Sequence, residues 1–329
     1  MNKVQVLMST YNGASYIHEQ LDSILKQKDV ELDILIRDDG STDNTPDILH
    51  DYASIYPNIK YVLGKNCGVV ASFFRLFELA DKNCDFYALS DQDDVWDLDK
   101  LKIACDAIPY EKKGKKKHTT IIPKMYCCDS VLVDSNLLPL DKTINVPDGE
   151  TLVASRAYEN PKPTVASADI IKPAFENALI ENIARGGGIV FNKAVLERIT
   201  IPMPKDIFMH DWWIYLVSSC YGEVTYDVTP HYLYRQHSGN ALGASQKDGS
   251  KLMRRIKQSS QNKGHIRKQL VSFSKIYNVP EDKKEALELM LHYDESFKNR
   301  RKGFSGKYVF RQSKKDNLIF RFLFFTNYL

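Results

Sequence analysis

An acidic segment near residue 90 contains residue types that suit a metal site. Residues 91–93, Asp-Gln-Asp, follow an apolar segment with strand character and precede a helical pattern, so both carboxylates can project from one tight turn. Paired hard oxygen donors favour Mg²⁺ or Mn²⁺, ions that keep open positions for phosphate oxygens. The alternatives are an Asp-rich turn that caps the helix at Lys100, or an EF-hand. Trp96 and Lys102 stand where an EF-hand needs Gly and Glu, which excludes that motif.

A second acidic segment, residues 38–43, has the sequence Asp-Asp-Gly-Ser-Thr-Asp. It is typical of an ordinary turn, since Asp, Gly and Ser all favour turns, but one of its carboxylates can also accept hydrogen bonds from a nucleobase edge. Neither this segment nor residues 9–13 match the glycine patterns of dinucleotide-binding or P-loop proteins, so those classes lose their main support. Acidic loops that converge repel one another, and a bound cation or a raised pKa is the usual resolution.

The first hundred residues alternate strand and helix patterns with short connections, which predicts a mainly parallel α/β sheet. Strands are expected at residues 4–8, 32–36, 59–63 and 86–89, and helices at 16–25, from Thr45 onward, and at 69–80. Thr45 can cap its helix, and Pro46 suits the first helical position. Open α/β sheets bind ligands at the carboxyl ends of their strands, so the two acidic segments are expected at one shared edge.

Beyond residue 110 the pattern is weaker. A basic loop at 112–118 and polar loops at 139–174 lead to a glycine turn and a strand at 185–192. Residues 209–213, Met-His-Asp-Trp-Trp, open an apolar helix. From Lys251 onward the chain is predicted to be helical and basic, with Pro280 separating two helices.

The net charge of +3 conceals a strong asymmetry between the two ends of the 329-residue chain. Residues 1–100 carry 9 basic and 18 acidic side chains, whereas residues 251–329 carry 19 basic and 7 acidic ones. An acidic front and a basic back indicate two different kinds of partner.

Composition and patterning exclude several classes. The N-terminal apolar stretch is too short for a signal peptide, and no run of about 18 apolar residues predicts a membrane-spanning helix. The six cysteines include no CxxC pair, which favours reduced thiols in a cytoplasmic protein over disulfides or a zinc site.

Several motifs, in order along the chain, resemble those of family 2 glycosyltransferases of GT-A fold. They lie at residues 9–13, 38–43, 66–68, 89–96, 186–188, 210–213 and 234–240. The combination of SDQDD, HDWW and YRQH is similar to bacterial rhamnosyltransferases, which use dTDP-L-rhamnose to build cell-surface polysaccharide.

This resemblance covers residues 1–245 and implies a fold and a domain organisation. The fold would be α/β, with a Rossmann-like, mixed and mainly parallel sheet flanked by helices, and a C-terminal helical extension. The nucleotide-sugar-binding half would span residues 1–105 and the acceptor and catalytic half residues 106–245. A basic helical region would follow at residues 246–329.

The resemblance also implies roles for individual residues. The nucleotide sugar would be bound by Thr10, Tyr11, Asn12, Asp39, Asn66, Asp91 and Gln92. Among these, Asp39 would hold the pyrimidine and Asp91 would lie near the ribose. Asp93 would hold a divalent cation, Mn²⁺ or Mg²⁺, that bridges the diphosphate. His237 corresponds to a metal or diphosphate ligand of some relatives, although a lone His is more often structural.

An inverting transfer needs one carboxylate to remove the acceptor hydroxyl proton, and Asp211 is expected to be that general base. The alternative role for Asp211 is a helix N-cap. Trp212 and Trp213 can pack in the core, or at most one of them can present its ring to an acceptor sugar. Arg235 can pair with phosphate or brace an aspartate.

The expected partners are a nucleotide-diphosphate sugar and a saccharide acceptor, either polyprenyl-linked or a growing glycan, with the enzyme in the cytoplasm at the inner face of the cell membrane. The basic C-terminal helices can contact an anionic membrane surface, form a homodimer, or be solvated faces around a core. Nucleic acid is not expected, since no recognition motif accompanies the basic region. The alternative functions are a UDP-galactose or UDP-glucose transferase and a sugar-nucleotide-binding module without turnover.

Overall fold

The computed structural model describes residues 1–109, 121–144, 146, 150–158, 171–237 and 264–326. The strands β1 to β8 are Asn2–Thr10, Val30–Asp38, Ile59–Leu63, Phe86–Ser90, Val95–Trp96, Lys124–Val133, Ile189–Asn192 and Glu223–Arg235. The helices α1 to α11 are Ile17–Leu25, Thr45–Ile55, Val69–Leu79, Lys100–Ala107, Phe175–Ala178, Lys193–Ile199, His210–Tyr221, His265–Ile276, Glu281–His292, Phe297–Phe304 and Lys314–Phe325. Short 3₁₀ turns lie at Ala154–Arg156 and Gly186–Gly188.

The described strands form an eight-stranded sheet in the order β3-β2-β1-β4-β7-β6-β8-β5. β1 pairs in parallel with β2 and β4, and β2 pairs in parallel with β3. The antiparallel strand β7 joins β4 to β6, and β8 runs parallel to β6. The predicted mixed sheet is confirmed, and its topology brings the carboxyl ends of β1, β2 and β4 to one edge.

Burial on both faces of the sheet explains why the first strands fold as predicted. Alternate residues of β1 point to opposite faces, so Leu7 packs in the cluster that contains Phe73 of α3, and Met8 packs in the cluster that contains Leu21 of α1. The four predicted strands and the flanking helices are present, with bounds that differ by at most two residues.

The predicted helix cap at Thr45 is wrong. The helix α2 already begins at Thr45, and Asn44 occupies the N-cap position. The Thr45 hydroxyl instead accepts a hydrogen bond from the Gly13 backbone N–H and donates one to Asp43 Oδ1. Thr45 therefore joins the loops that follow β1 and β2.

The glycine turn predicted before β7 lets the backbone pass close to buried side chains. A β-carbon on Gly187 would lie 2.6 Å from Asp94 Oδ2 and 3.0 Å from the Tyr232 ring, distances at which atoms overlap. A larger residue at this position would have to displace the buried Asp94 carboxylate or the Tyr232 ring.

The C-terminal helices share the core on one face of the sheet. The Trp213 ring of α7 packs against Phe273 of α8 at 5.6 Å between ring centroids, and both belong to the buried cluster that contains Phe324 of α11. Pro280 separates α8 from α9, as predicted. The boundary expected at residue 245 lies outside the described residues. In the described part of the chain, no helix combines the length and the apolar character needed to cross a bilayer.

Candidate active site

A cavity of about 640 Å³ opens at the carboxyl-end edge of the sheet. It is lined by the loops after β1, β2 and β4, by the glycine turn and by the first turn of α7. The predicted site residues in its lining are Thr10, Tyr11, Asp39, Asn66, Asp91, Gln92, Asp93 and Asp211. The predicted site residues outside its lining are Asn12, Trp212, Trp213 and His237.

Asp39 is buried in the cavity wall and accepts several hydrogen bonds from the protein. Its Oδ1 accepts from Arg37 Nη1 at 2.6 Å and from the Cys67 backbone N–H at 2.9 Å, and its Oδ2 accepts from the Gly68 N–H at 2.8 Å. Burial opposes ionisation of this carboxyl, but the hydrogen bonds outweigh burial and lower its pKa. Asp39 is therefore a fixed anion whose Oδ2 retains capacity for another donor.

Asp38 and Asn12 shape the loops beside the cavity. The Asp38 carboxylate accepts from the Thr10 hydroxyl at 3.0 Å and from the Ser41 backbone N–H at 2.9 Å. Asn12 has a positive φ of 50°, and its side-chain oxygen accepts from the Thr42 N–H at 2.8 Å. Asn12 thus joins the loops after β1 and β2 from outside the cavity lining, and its contact with the nucleotide stays a prediction.

Gln92 fastens the loop after β4 to the loop after β1. Its Oε1 accepts from the Tyr11 backbone N–H at 2.8 Å, and its Nε2 donates to the Tyr11 carbonyl at 3.0 Å. A β-carbon on Gly13 would overlap Gln92 Oε1, so a larger residue there would displace the Gln92 amide. The Tyr11 ring remains about half exposed, and Asn66 is also exposed in the lining.

Asp93 and His237 meet although 144 residues separate them. Asp93 Oδ2 and His237 Nε2 are 2.7 Å apart, and the Tyr16 ring packs on the imidazole with 4.6 Å between ring centroids. Arg235 holds the same loop, since its Nε donates to the Asp93 carbonyl at 2.8 Å and its guanidinium pairs with Glu19. Arg235 therefore braces the loop of Asp93, which is the second of the two roles considered for it.

The chemistry of this loop fits a divalent cation. The Asp93 oxygen and the His237 nitrogen are ligand types that Mn²⁺ accepts, and they already lie within contact distance of each other. The acidic residues of the described lining are Asp39, Asp91, Asp93 and Asp211, whereas its one Lys or Arg is Arg185. An anionic diphosphate is repelled by such a cavity unless a cation accompanies it.

Asp211 is the second residue of α7, and Met209 occupies the N-cap position. Burial raises the pKa of the Asp211 carboxyl to about 6, although hydrogen bonds from the Trp212 N–H and the Asn182 side chain oppose the rise. Asp91 is in a similar state, because burial and then the charges of Asp93 and Asp211 raise its pKa to about 7. A carboxyl with such a pKa can accept a proton near neutral pH.

His210 lines the cavity beside Asp211 but was not among the predicted residues. Its ring stacks on Phe73 at 3.9 Å between centroids and 14° between planes. Both ring nitrogens are buried without a hydrogen-bond partner in the described residues, and burial lowers the pKa of this imidazole to about 3. A β-carbon on Gly186 would lie 3.5 Å from His210 Nε2 and 3.9 Å from Asp91 Oδ2, so these groups border one small space.

Arg37, Asn182 and Arg185 are further site residues that the sequence analysis missed. Arg185 lines the cavity, and its Nη1 donates to Ser130 Oγ at 2.9 Å. Its position directly before the glycine turn is the signal that could have located it. Arg37 lies two residues before Asp39. Asn182 follows the short helix α5, which no sequence pattern predicted.

Trp212 and Trp213 pack in the core, which is the first of the two alternatives considered for them. Trp213 is fully buried, and its ring contacts Phe273. Trp212 is also buried, with its indole N–H donating to the Ala178 carbonyl at 2.6 Å. Large aromatic rings behind the first turn of α7 hold Asp211 at the cavity instead.

The family of the chain follows from its similarity to known proteins. A family model described as Glycosyl transferase family 2 matches residues 5–113. The dTDP-rhamnosyl transferase RfbG of Shigella flexneri is 32% identical over 243 residues, which make up 72% of this chain and 74% of that protein. The chain belongs to glycosyl transferase family 2. It is therefore a glycosyltransferase, as the order of its motifs predicted.

Solved structures share the fold of this glycosyltransferase at low sequence identity. S. aureus TarS 1–349 in complex with UDP-GlcNAc matches with a TM-score of 0.55 and 18% identity, covering 99% of this chain and 81% of that one. The mannosyltransferase PcManGT of Pyrobaculum calidifontis, in complex with GDP-Man and Mn²⁺, matches with a TM-score of 0.50 and 18% identity, covering 91% and 71%. The predicted GT-A fold is confirmed.

Proposed function

We propose that this glycosyltransferase moves L-rhamnose from dTDP-L-rhamnose onto a lipid-linked or growing cell-surface polysaccharide, with inversion at the anomeric carbon. The observation that carries the proposal is one cavity that holds both the acidic loop of Asp91 and Asp93 and the buried carboxyl of Asp211. The choice of donor is supported by the identity to RfbG, whose name specifies a dTDP-rhamnosyl transferase.

The nucleoside occupies the end of the cavity formed by the loops after β1 and β2. Asp39 Oδ2 accepts a hydrogen bond from the pyrimidine, which suits a carboxylate whose pKa is already lowered by three protein donors. Thr10, Tyr11 and Asn66 line the space for base and ribose, and Gln92 fixes the Tyr11 backbone beside it.

The diphosphate occupies the part of the cavity between the loop after β4 and the glycine turn. Asp93 and His237 would hold a divalent cation, Mn²⁺ or Mg²⁺, with Asp91 close by. When bound, that cation neutralises charge on the leaving diphosphate. Arg185, the cationic side chain of the lining, adds a second positive charge near the same groups.

Asp211 removes the proton of the acceptor hydroxyl while the hydroxyl oxygen attacks the anomeric carbon. The bond from that carbon to the diphosphate oxygen breaks, and its electron pair leaves with the nucleoside diphosphate. The new glycosidic bond forms on the opposite face, so the configuration inverts and no protein nucleophile is needed. A pKa of about 6 leaves Asp211 ionised at neutral pH and still basic enough to take the proton.

A donor panel tests the proposal. The purified chain is mixed with dTDP-L-rhamnose, UDP-galactose, UDP-glucose or GDP-mannose, with and without Mn²⁺, and its thermal unfolding is followed. A donor at a hundred times its Kd stabilises the folded state by about 2.7 kcal/mol, which shifts the melting temperature measurably. We expect the largest shift with dTDP-L-rhamnose and Mn²⁺.

The panel separates the rival functions. Stronger stabilisation by a UDP-hexose would replace the donor but retain the enzyme class. Stabilisation by dTDP-L-rhamnose without any release of dTDP, even with extracted lipid-linked saccharide as acceptor, would favour a binding module. No shift with any nucleotide sugar would contradict the nucleotide site itself.

A further inference from the structure

The last two helices of the chain carry large apolar side chains on their solvent-facing surface. Phe297 and Phe304 of α10 are 60% and 45% exposed, and Leu318 and Phe322 of α11 are 65% and 62% exposed. A folded protein exposes scattered apolar residues, but a contiguous group of this size usually marks an interaction surface.

The helix geometry makes these side chains one surface. Leu318 and Phe322 are one turn apart on α11, on the face opposite Phe320 and Phe324, which are buried in the core. The Phe325 ring lies beside α10, at 5.5 Å from the Phe297 ring and 5.6 Å from the Phe304 ring, measured between centroids. The exposed rings of α10 therefore continue into the exposed stripe of α11.

Basic side chains surround this apolar surface. Residues 297–325 contain nine Lys and Arg but a single acidic residue, Asp316. The exposed basic residues of this range are Lys298, Arg301, Lys307, Lys314 and Lys315. Elsewhere in the range, Lys302 pairs with Glu285 and Arg311 pairs with Glu181, so those two charges are compensated. We name the four exposed apolar and five exposed basic residues the tail surface.

We propose that the tail surface docks on an anionic lipid bilayer. Phe and Leu side chains enter the boundary between headgroups and acyl chains, while Lys and Arg beside them contact anionic headgroups. The tail surface offers both kinds of side chain on packed helices, so little conformational entropy is lost on binding.

Charge complementarity favours a lipid surface over a second copy of the chain. An isologous dimer through the tail surface would place the same basic residues against one another, and like charges at an interface are repulsive. An anionic bilayer carries the opposite charge and also accepts the apolar rings. This proposal does not depend on the donor or on the transfer reaction, because it concerns helices on the opposite end of the sequence from the nucleotide loops.

Vesicle co-sedimentation with the full chain tests the proposal. We expect binding to vesicles of phosphatidylcholine mixed with phosphatidylglycerol, weaker binding to phosphatidylcholine alone, and loss of binding at high salt, because salt screens exposed charges. Lys314→Gln with Lys315→Gln should weaken binding about tenfold or more, as each basic residue near the surface contributes separately. Leu318→Ser with Phe322→Ser should weaken it similarly.

Matched controls use equally exposed residues elsewhere. Ile55→Ser removes an apolar side chain that is 68% exposed on α2, and Lys142→Gln with Lys205→Gln removes two exposed lysines outside the C-terminal helices. These variants should bind like the wild type. Because every substituted side chain is exposed, all variants should keep the wild-type melting temperature.

A spectroscopic variant gives a second, independent readout. The three tryptophans of the chain are buried, so Phe322→Trp adds a reporter on the tail surface. Its emission should shift to the blue with anionic vesicles and remain unchanged with neutral ones. Equal binding by wild type and both tail variants, or an unshifted emission, would overturn the proposal. A wild-type dimer that the Leu318 and Phe322 substitutions dissociate, with vesicle binding unchanged, would overturn it in favour of a second copy.

Discussion

At the scale of single residues, the carboxyls of the active site differ because their surroundings differ. Asp39 accepts hydrogen bonds from Arg37, Cys67 and Gly68, which lower its pKa despite burial. Asp211 is also buried but its hydrogen bonds do not offset burial, so its pKa rises to about 6. The same side-chain type is thus a fixed hydrogen-bond acceptor at one end of the cavity and a group able to take up a proton at the other.

Asp211→Asn should lower the transfer rate by about 10²–10⁴-fold, since an amide cannot accept the acceptor proton. Nucleotide binding should persist, because the Asn side chain retains an oxygen for the Trp212 N–H, which donates to Asp211 Oδ1 at 2.6 Å. Single-turnover transfer and a donor titration measure the two effects separately. Near-normal turnover in the variant would remove Asp211 from the role of base.

The pH profile offers a second check on Asp211. The proposed base would work only when ionised, and burial raises the pKa of Asp211 to about 6, so kcat/KM should fall about tenfold for each pH unit below that value. A profile that stays flat down to pH near 4, the ordinary range of an aspartate, would contradict a buried base.

His210 should make the stability of the fold depend on pH. Burial lowers its pKa to about 3, so between that value and the ordinary value of about 6.5 the unfolded chain binds a proton that the folded chain does not. Stability from this group is therefore present above pH 6.5 and lost as the pH falls, by up to about 1.4 kcal/mol per unit.

The His210→Phe variant isolates that contribution, because a phenyl ring can keep the stacking on Phe73 without titrating. The free energy of unfolding of both proteins is measured with denaturant at several acidic pH values. Carboxyls that also titrate in this range affect both proteins equally, so their contribution cancels in the difference. The wild type should lose more stability than the variant as the pH falls from 6.5. Parallel curves would show that the imidazole is protonated in the folded state.

At the scale of elements, the sequence predicted the part of the candidate site that lies on the first four strands, because local sequence patterns encode those strands. The loops that carry Asp39 and Asp93 follow short, mainly apolar segments whose length is typical of buried strands. The contact between Asp93 and His237 could not be derived in the same way, because it depends on the antiparallel pairing of β5 with β8, strands that lie far apart in the sequence with weak patterns between them. Only the family resemblance suggested it.

The two tryptophans after Asp211 show the same limit. An apolar helix with a Trp pair at its start fits either a core position or a sugar contact, and the choice depends on what packs against it. The helices that bury Trp213 come from residues 265 onward, and periodicity alone does not show where they dock. A sequence pattern thus predicts that a helix is amphipathic or buried, but it does not show which element packs against that helix.

Arg235 links β8 to the acidic loop after β4, so its loss should affect that loop as a unit. Arg235→Met leaves the Asp93 carbonyl without its donor in a buried hydrogen bond, and such an unsatisfied group costs about 1–3 kcal/mol. We expect a lower free energy of unfolding and weaker Mn²⁺-dependent nucleotide binding, measured by denaturant titration and by calorimetry.

A surface ion pair supplies the control for Arg235. Arg75 pairs with Glu78 on α3 with both side chains well exposed, so Arg75→Met should change stability by about 1 kcal/mol or less and leave nucleotide binding intact. Wild-type nucleotide binding by Arg235→Met would contradict the bracing role.

At the scale of the whole molecule, the acidic front and the basic back of the sequence belong to one folded body. The acidic loops of the cavity follow the first strands of the sheet, whereas the basic helices α8 to α11 pack through a core that also contains Leu7 of β1 and Phe77 of α3. The charge asymmetry therefore separates two surfaces rather than two independently folded domains. The proposed diphosphate site and the proposed lipid-facing surface can then keep a fixed position relative to each other.

A shared core predicts that the chain unfolds in one cooperative transition, with probes of both ends reporting the same midpoint. Phe273 of α8 contacts Trp213 of α7 and Phe175 of α5, so Phe273→Ala removes contacts on both sides of this junction and should cost about 3–5 kcal/mol. The exposed neighbour Ser274→Ala is the matched control and should change stability by about 0.5 kcal/mol or less. In Phe273→Ala, the unfolding midpoint measured by circular dichroism and the midpoint for loss of nucleotide binding should both fall by the same amount. If nucleotide binding kept its wild-type midpoint while the helical signal melted earlier, the C-terminal helices would be a separate unit and the shared core would be the wrong description.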